Sequence, residues 1–116
     1  MKLSNIEGAW IILQPLRADM ELKQSGDAVR GTYHNSEVRG TVKGTLTLEG
    51  EDDNLILTGK WADQLGAGDF RVTIGEVTCP ERMSFRGNWN HSGSQGWDGL
   101  FEGEKGTLSE KATPHE

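Results

Sequence analysis

Few side chains in this sequence have the type and spacing to do chemistry. The histidines are His34, His91 and His115, and the single cysteine is Cys79. A metal site needs three or four converging ligands. Only His34 and His91 fall at the same end of the strand pattern, so no metal site is predicted. A haem would need an axial ligand, usually His. His91 is the residue placed to serve, and no cofactor is predicted. Cys79-Pro80 reads as a turn with Arg82 nearby and no His at that end, so it lacks the base that an activated thiol needs. The carboxylates Glu51-Asp52-Asp53 also sit in a turn, where they solubilise rather than flank a substrate as an acid/base pair must. Asp63 and Asp98 lie closer to the aromatic residues, with Asp98 pointing outward by alternation. There is no Gly-x-Ser-x-Gly elbow and no His-Glu-x-x-His, and no Gly-containing motif precedes a helix as a phosphate loop must. What remains is a set of rings: Tyr33, Trp61, Phe70, Trp89 and Trp97, with His91 beside them. Rings of this kind, with a few polar groups, suit a flat or apolar small molecule.

The elements that position these rings follow from composition and period. The chain has 116 residues, enough for one domain and one core. Its 16 glycines are roughly twice the average share of about 7%. That density counts against a helical bundle, where each interior Gly costs about 1 kcal/mol. The net charge of −6, without a Lys/Arg cluster in the sequence, argues against nucleic acid and anionic membranes as partners. The first seven residues lack the apolar stretch of a secretory signal. The apolar run at 9–13 is far too short to span a bilayer. The expected location is cytoplasmic.

A short repeat recurs: apolar, any, Gly, any, aromatic or apolar. It occurs at Ile6-Glu7-Gly8-Ala9-Trp10, Val29-Arg30-Gly31-Thr32-Tyr33 and Val38-Arg39-Gly40-Thr41-Val42. It returns at Leu57-Thr58-Gly59-Lys60-Trp61, Phe85-Arg86-Gly87-Asn88-Trp89 and Trp97-Asp98-Gly99-Leu100-Phe101. Side chains alternate across a strand, so the apolar residue, the Gly and the ring share one face. An inward Gly makes sense where a sheet bends sharply or where an aromatic lies over the bare backbone. Both conditions hold in a small closed barrel. Extending the period predicts strands at 6–14, 18–24, 28–34, 37–49, 54–62, 68–76, 82–91 and 96–104, joined by short turns. The predicted fold is all-β: a single eight-stranded antiparallel up-and-down β-barrel over 1–104, with a polar tail at 105–116. A Gly-rich β-sandwich is the alternative.

A meander gathers alternate strand ends at one mouth. Tyr33, Trp61 and Trp89 end the third, fifth and seventh strands there, while Phe70 and Trp97 open the sixth and eighth. All the aromatic residues are expected on the inner face. The loops around 63–68 and 92–96 are Gly-rich and expected to be mobile, with His34, Asn35, Asp63, Asn90 and His91 as rim groups. The mouth is then either an aromatic cup for a ligand or a plug of rings packed edge to face. Ile11, Leu13 and Leu100 are expected to face outward as one apolar patch, the basis for a weak homodimer.

The combination resembles small calycin-type barrels, avidin-like proteins above all. Gly8-Ala9-Trp10 is similar to the opening strand of that family, Gly31-Thr32-Tyr33 to a later one, and Leu57-Thr58-Gly59-Lys60-Trp61 to another. The resemblance implies an eight-stranded barrel with a ligand at one mouth, and it carries a ligand residue over only at Tyr33. The stretch that holds biotin's ureido ring in that family reads Ile11-Ile12-Leu13-Gln14-Pro15 here, without its Asn and Ser groups. Related barrels include lipid carriers, haem-binding barrels and natural-product cyclases, and the fold alone does not choose among them. Three functions are therefore expected. The first is a barrel that binds a hydrophobic or aromatic small molecule. The second is a cofactor-independent cyclase or isomerase using the same cavity. The third is a filled barrel that serves protein interaction.

Overall fold

The alternating pattern forms eight strands in the computed structural model, which describes residues 5–51, 53–76 and 83–106. They are β1 (Gly8–Gln14), β2 (Ala18–Ser25), β3 (Ala28–His34), β4 (Arg39–Glu49), β5 (Asn54–Asp63), β6 (Gly66–Glu76), β7 (Met83–His91) and β8 (Gly99–Lys105). Each pairs antiparallel with the next, and β8 returns to pair with β1. The sheet is a closed up-and-down barrel rather than a sandwich. Closure gives every strand two hydrogen-bonded neighbours and so removes the unpaired edge that an open sheet exposes. No helix of the described residues is long and apolar enough to cross a membrane.

Register explains the recurring Gly-aromatic motif. Tyr33 stands opposite Gly40, Trp89 opposite Gly99 and Phe85 opposite Gly103. Each ring lies over the bare glycine backbone, and a Cβ at Gly40 would collide with the Tyr33 ring and the Ala62 carbonyl. The glycines let large rings pack inside a narrow barrel.

Four strand starts differ from expectation by two residues or more, and the fourth strand begins at Arg39 rather than 37. The first strand begins at Gly8 rather than residue 6, because Gly8 has φ +130°, a region that side chains disfavour. The turn there seats the fully buried Ile6 at the lower end, where its carbonyl accepts the Trp10 indole N–H at 2.8 Å. The Ile6 N–H donates to the Gln24 side chain at 2.8 Å. The sixth strand begins two residues early, at Gly66. The eighth begins at Gly99 rather than 96, which leaves Trp97 in the preceding loop. Asp52, Cys79-Pro80, Arg82 and the tail beyond Gly106, including His115, lie outside the described residues.

The lower barrel is solid. Trp10 meets Phe85 at 5.7 Å between ring centroids, Phe85 meets Phe101 at 4.8 Å, and Phe101 meets Phe70 at 5.4 Å. The void left among Trp10, Met20, Leu57, Phe70 and these neighbours is about 10 Å³. That is no more than the room one water needs.

Outside, Ile11 is flanked by inward Trp10 and Ile12, yet it is fully buried, as is nearly all of Ile56. Only Leu100 of the expected apolar patch is well exposed, and Leu13 is half-buried. The patch expected for a homodimer therefore loses Ile11.

Candidate ligand cavity at the upper mouth

Above the plug the barrel opens into a cavity of about 260 Å³. Val42 and Phe101 form its floor and are shared with the packed lower core. Tyr33, Trp61, Trp89 and His91 form its walls, and Ile12 completes the interior. Pro15 and Leu16 from the β1–β2 loop and Leu65 from the β5–β6 turn lie over the opening. The β1–β8 register shifts between Ile12 and Gln14, a bulge at the rim of the kind that bends a strand, just before Pro15 and Leu16 reach the cavity.

The wall is a three-ring cluster. Trp61 and Trp89 meet edge to face at 5.8 Å and 83°, and His91 packs against them at 5.5 Å and 4.9 Å. The Trp61 indole N–H donates to the Asn90 carbonyl at 3.0 Å, which fixes that ring. Trp89 differs: its indole nitrogen is buried and has no acceptor among the described residues. A buried donor left unpaired costs about 1–3 kcal/mol.

Asp63 is the one carboxylate lining the cavity, and it has two tasks. One oxygen accepts the backbone N–H groups of Leu65 and Gly66 at 2.8 and 3.2 Å, closing the β5–β6 turn. The other accepts the Tyr33 hydroxyl at 2.7 Å. Burial, reinforced by that hydrogen bond and the Asp63 charge, holds the Tyr33 pKa well above its ordinary value. Tyr33 is therefore a neutral, fixed donor through the physiological range.

The rim is knitted together rather than loose. Asn35 accepts the N–H groups of Glu37 and Val38 and donates to the Arg17 carbonyl, joining the β3–β4 turn to the β1–β2 loop. Gln64 bonds both Arg39 and Glu37, joining the β5–β6 turn to the β3–β4 turn. In the β7–β8 loop, Asp98 accepts the His91 N–H and the Ser94 hydroxyl, and those bonds lower its pKa. The Ser92 N–H reaches the Ala67 carbonyl. The expectation of mobile rim loops meets this hydrogen-bonded collar, built from side chains that alternation does not assess.

Four of the six residues proposed from sequence converge on the cavity: Tyr33, Trp61, Trp89 and His91. Phe70 does not. It is 1% exposed and belongs to the plug, because it pairs with Gly59, one inward layer below Trp61. Trp97 does not either: it is 49% exposed in the β7–β8 loop. Among the rim groups, Asn35 and Asn90 serve as structural hydrogen-bond partners, and His34 is exposed at the end of β3. Ile12 and the floor residues Val42 and Phe101 were not singled out from the sequence, although their inward parity was legible. Pro15, Leu16 and Leu65 gave no signal, since loops have no alternation. Among the described residues, no three His, Cys, Asp or Glu side chains converge as metal ligands do. Comparison with protein-family models, with curated proteins and with solved structures finds no match to this chain.

Proposed function

We propose that this barrel binds a small, flat, mostly apolar molecule at its upper mouth. The observation that carries the reading is the aromatic-walled cavity of about 260 Å³ over a solid floor. Its volume selects the ligand class. It exceeds the roughly 150 Å³ cavity that accepts benzene, and it falls short of the roughly 300 Å³ at which drug-sized sites begin. One or two fused rings fit, whereas a haem or a long acyl chain outgrows the space. Asp63, the one carboxylate in the lining, disfavours an anionic ligand. A calycin-type reading, avidin-like in layout, agrees with a ligand at this end of an eight-stranded barrel.

Titration of intrinsic Trp fluorescence with one- and two-ring aromatics, fatty acids, haem and biotin tests this proposal. The expected result is a saturable change with the small aromatics, lost in Trp61→Ala and in Val42→Phe, which fills the floor. A flat response across the panel contradicts it.

One observation favours a second reading, a cofactor-independent cyclase or isomerase. The Tyr33–Asp63 pair sets a fixed donor and a carboxylate in an otherwise apolar wall, and positioning alone can remove several kcal/mol from a barrier. Turnover of a bound substrate, lost in Tyr33→Phe while binding persists, would support it. Binding without turnover across the same panel would count against it.

A further inference from the structure

The strand register assembles a line of cations that the sequence scatters. On the outer face Lys23 stands opposite Arg30, Arg30 opposite Lys43, and Lys43 opposite Lys60. These are four of the 12 basic residues in a chain of net charge −6, side by side on four adjacent strands. Lys60 is neutralised by Asp69 at 2.8 Å. Lys23, Arg30 and Lys43 have no ion pair among the described residues. Like charges directly opposite one another in a sheet are destabilising. Two basic residues elsewhere on the barrel are paired with acids, Arg71 with Glu49 and Arg86 with Glu102. An uncompensated row breaks a local rule, and such breaks tend to mark function.

The row also borders a groove. An open depression of about 460 Å³ is lined by Lys23, Arg30 and Lys43, by the hydroxyl residues Thr32 and Thr41, and by Glu21 at one end. Neighbouring strands are about 4.8 Å apart, so the three unpaired cations lie within about 10 Å.

We infer that this groove is a second binding site, for a compact multiply charged phosphate such as a di- or triphosphate group. The cations supply the charge and Thr32 and Thr41 supply neutral donors. Size decides against a long polyanion. Charges are screened beyond about 8 Å at physiological salt, so a compact anion feels the row alone. A long strand would run onto the acidic remainder of the molecule. The lining also has no aromatic side chain on which a nucleic-acid base could stack.

Calorimetric titration of the full chain with sodium tripolyphosphate at low salt, repeated at about 0.15 M, tests the inference. The expected result is saturable binding that weakens with salt. It should fall about tenfold or more in the triple variant Lys23→Gln, Arg30→Gln, Lys43→Gln, and little in Lys60→Gln. All these side chains are exposed, so the variants are expected to fold, and circular dichroism checks this. A thermal melt adds an independent readout. Without anion, Lys43→Gln should raise the Tm by relieving repulsion, and tripolyphosphate should raise the Tm of the parent but not of the triple variant. No binding at low salt, undiminished binding in the triple variant, or a lower Tm in Lys43→Gln would each overturn the inference. Tighter binding of a single-stranded RNA oligomer through the same three residues would replace it with a polyelectrolyte surface.

Discussion

Two side chains define the chemistry of the cavity, and each supports a test. Trp89 has a buried indole N–H with no acceptor among the described residues. Replacing it by Phe keeps a ring in the wall and deletes the unpaired donor. Trp89→Phe should therefore cost less stability by urea denaturation than Trp61→Phe, which removes the same ring volume together with a satisfied donor. An equal or larger loss than in Trp61→Phe would mean that the Trp89 N–H is satisfied. The Tyr33 hydroxyl bonds the Asp63 carboxylate, and bonds to charged groups contribute about 1.5–3 kcal/mol. Tyr33→Phe should be destabilised by that order. The pH dependence follows from the sign of the shift. The folded state raises the Tyr33 pKa, so the contribution is complete below the unfolded value of about 10 and is lost as pH rises above it. The stability gap between parent and Tyr33→Phe should be constant near neutrality and narrow above about pH 10. A gap that widens there contradicts the assignment. The four rings that line the cavity were readable from parity and strand end. Trp97 was not, because Trp97-Asp98-Gly99-Leu100-Phe101 alternates like a strand while Asp98 is drawn into capping the loop.

At the scale of elements, the barrel depends on rings lying over glycines. Gly40→Ala places a methyl group against the Tyr33 ring and the Ala62 carbonyl. The ring or the β4–β5 ladder must then move. The expected loss is about 1–3 kcal/mol, the range for overpacking, together with weakened ligand binding because Tyr33 is a wall of the site. Unchanged stability would show that the ring relocates freely. The period-two pattern located all eight strands, since half-buried strands write their geometry directly into sequence. Their ends were less legible. Gly8 alternates as strand but turns at φ +130°, and Asp63 starts a turn through its own carboxylate. The collar of Asn35, Gln64 and Asp98 hydrogen bonds was invisible for the same reason: side chain to backbone bonds carry no period.

The whole molecule divides into a packed lower half and a hollow upper one. The sequence left cup and plug as alternatives, and the structure contains both, one above the other. Parity says which face a ring occupies, but the depth of the ring depends on register and shear across strands. That is why Phe70, expected at the mouth, lies in the plug. The same cross-strand register assembles Lys23, Arg30 and Lys43 from positions that look unrelated along the chain. The division predicts unequal effects of truncation. Phe85→Ala opens a void in the plug and should be destabilised by about 3–5 kcal/mol, the usual range for a buried ring. Leu65→Ala, at a residue 76% exposed over the opening, should lose far less. Similar losses at both sites would deny the distinction between core and mouth.

The four tryptophans offer the most direct measurement, because each gives its own indole N–H signal in a ¹H–¹⁵N NMR spectrum. Trp10 is sealed in the plug and bonded to Ile6, Trp97 is exposed in a loop, and Trp61 and Trp89 wall the cavity. Titration with a two-ring aromatic should shift the Trp61 and Trp89 signals in a saturable way. Trp10 and Trp97 should stay in place. Saturable shifts confined to Trp97, or no saturable shift at any indole, would contradict a ligand site at the upper mouth.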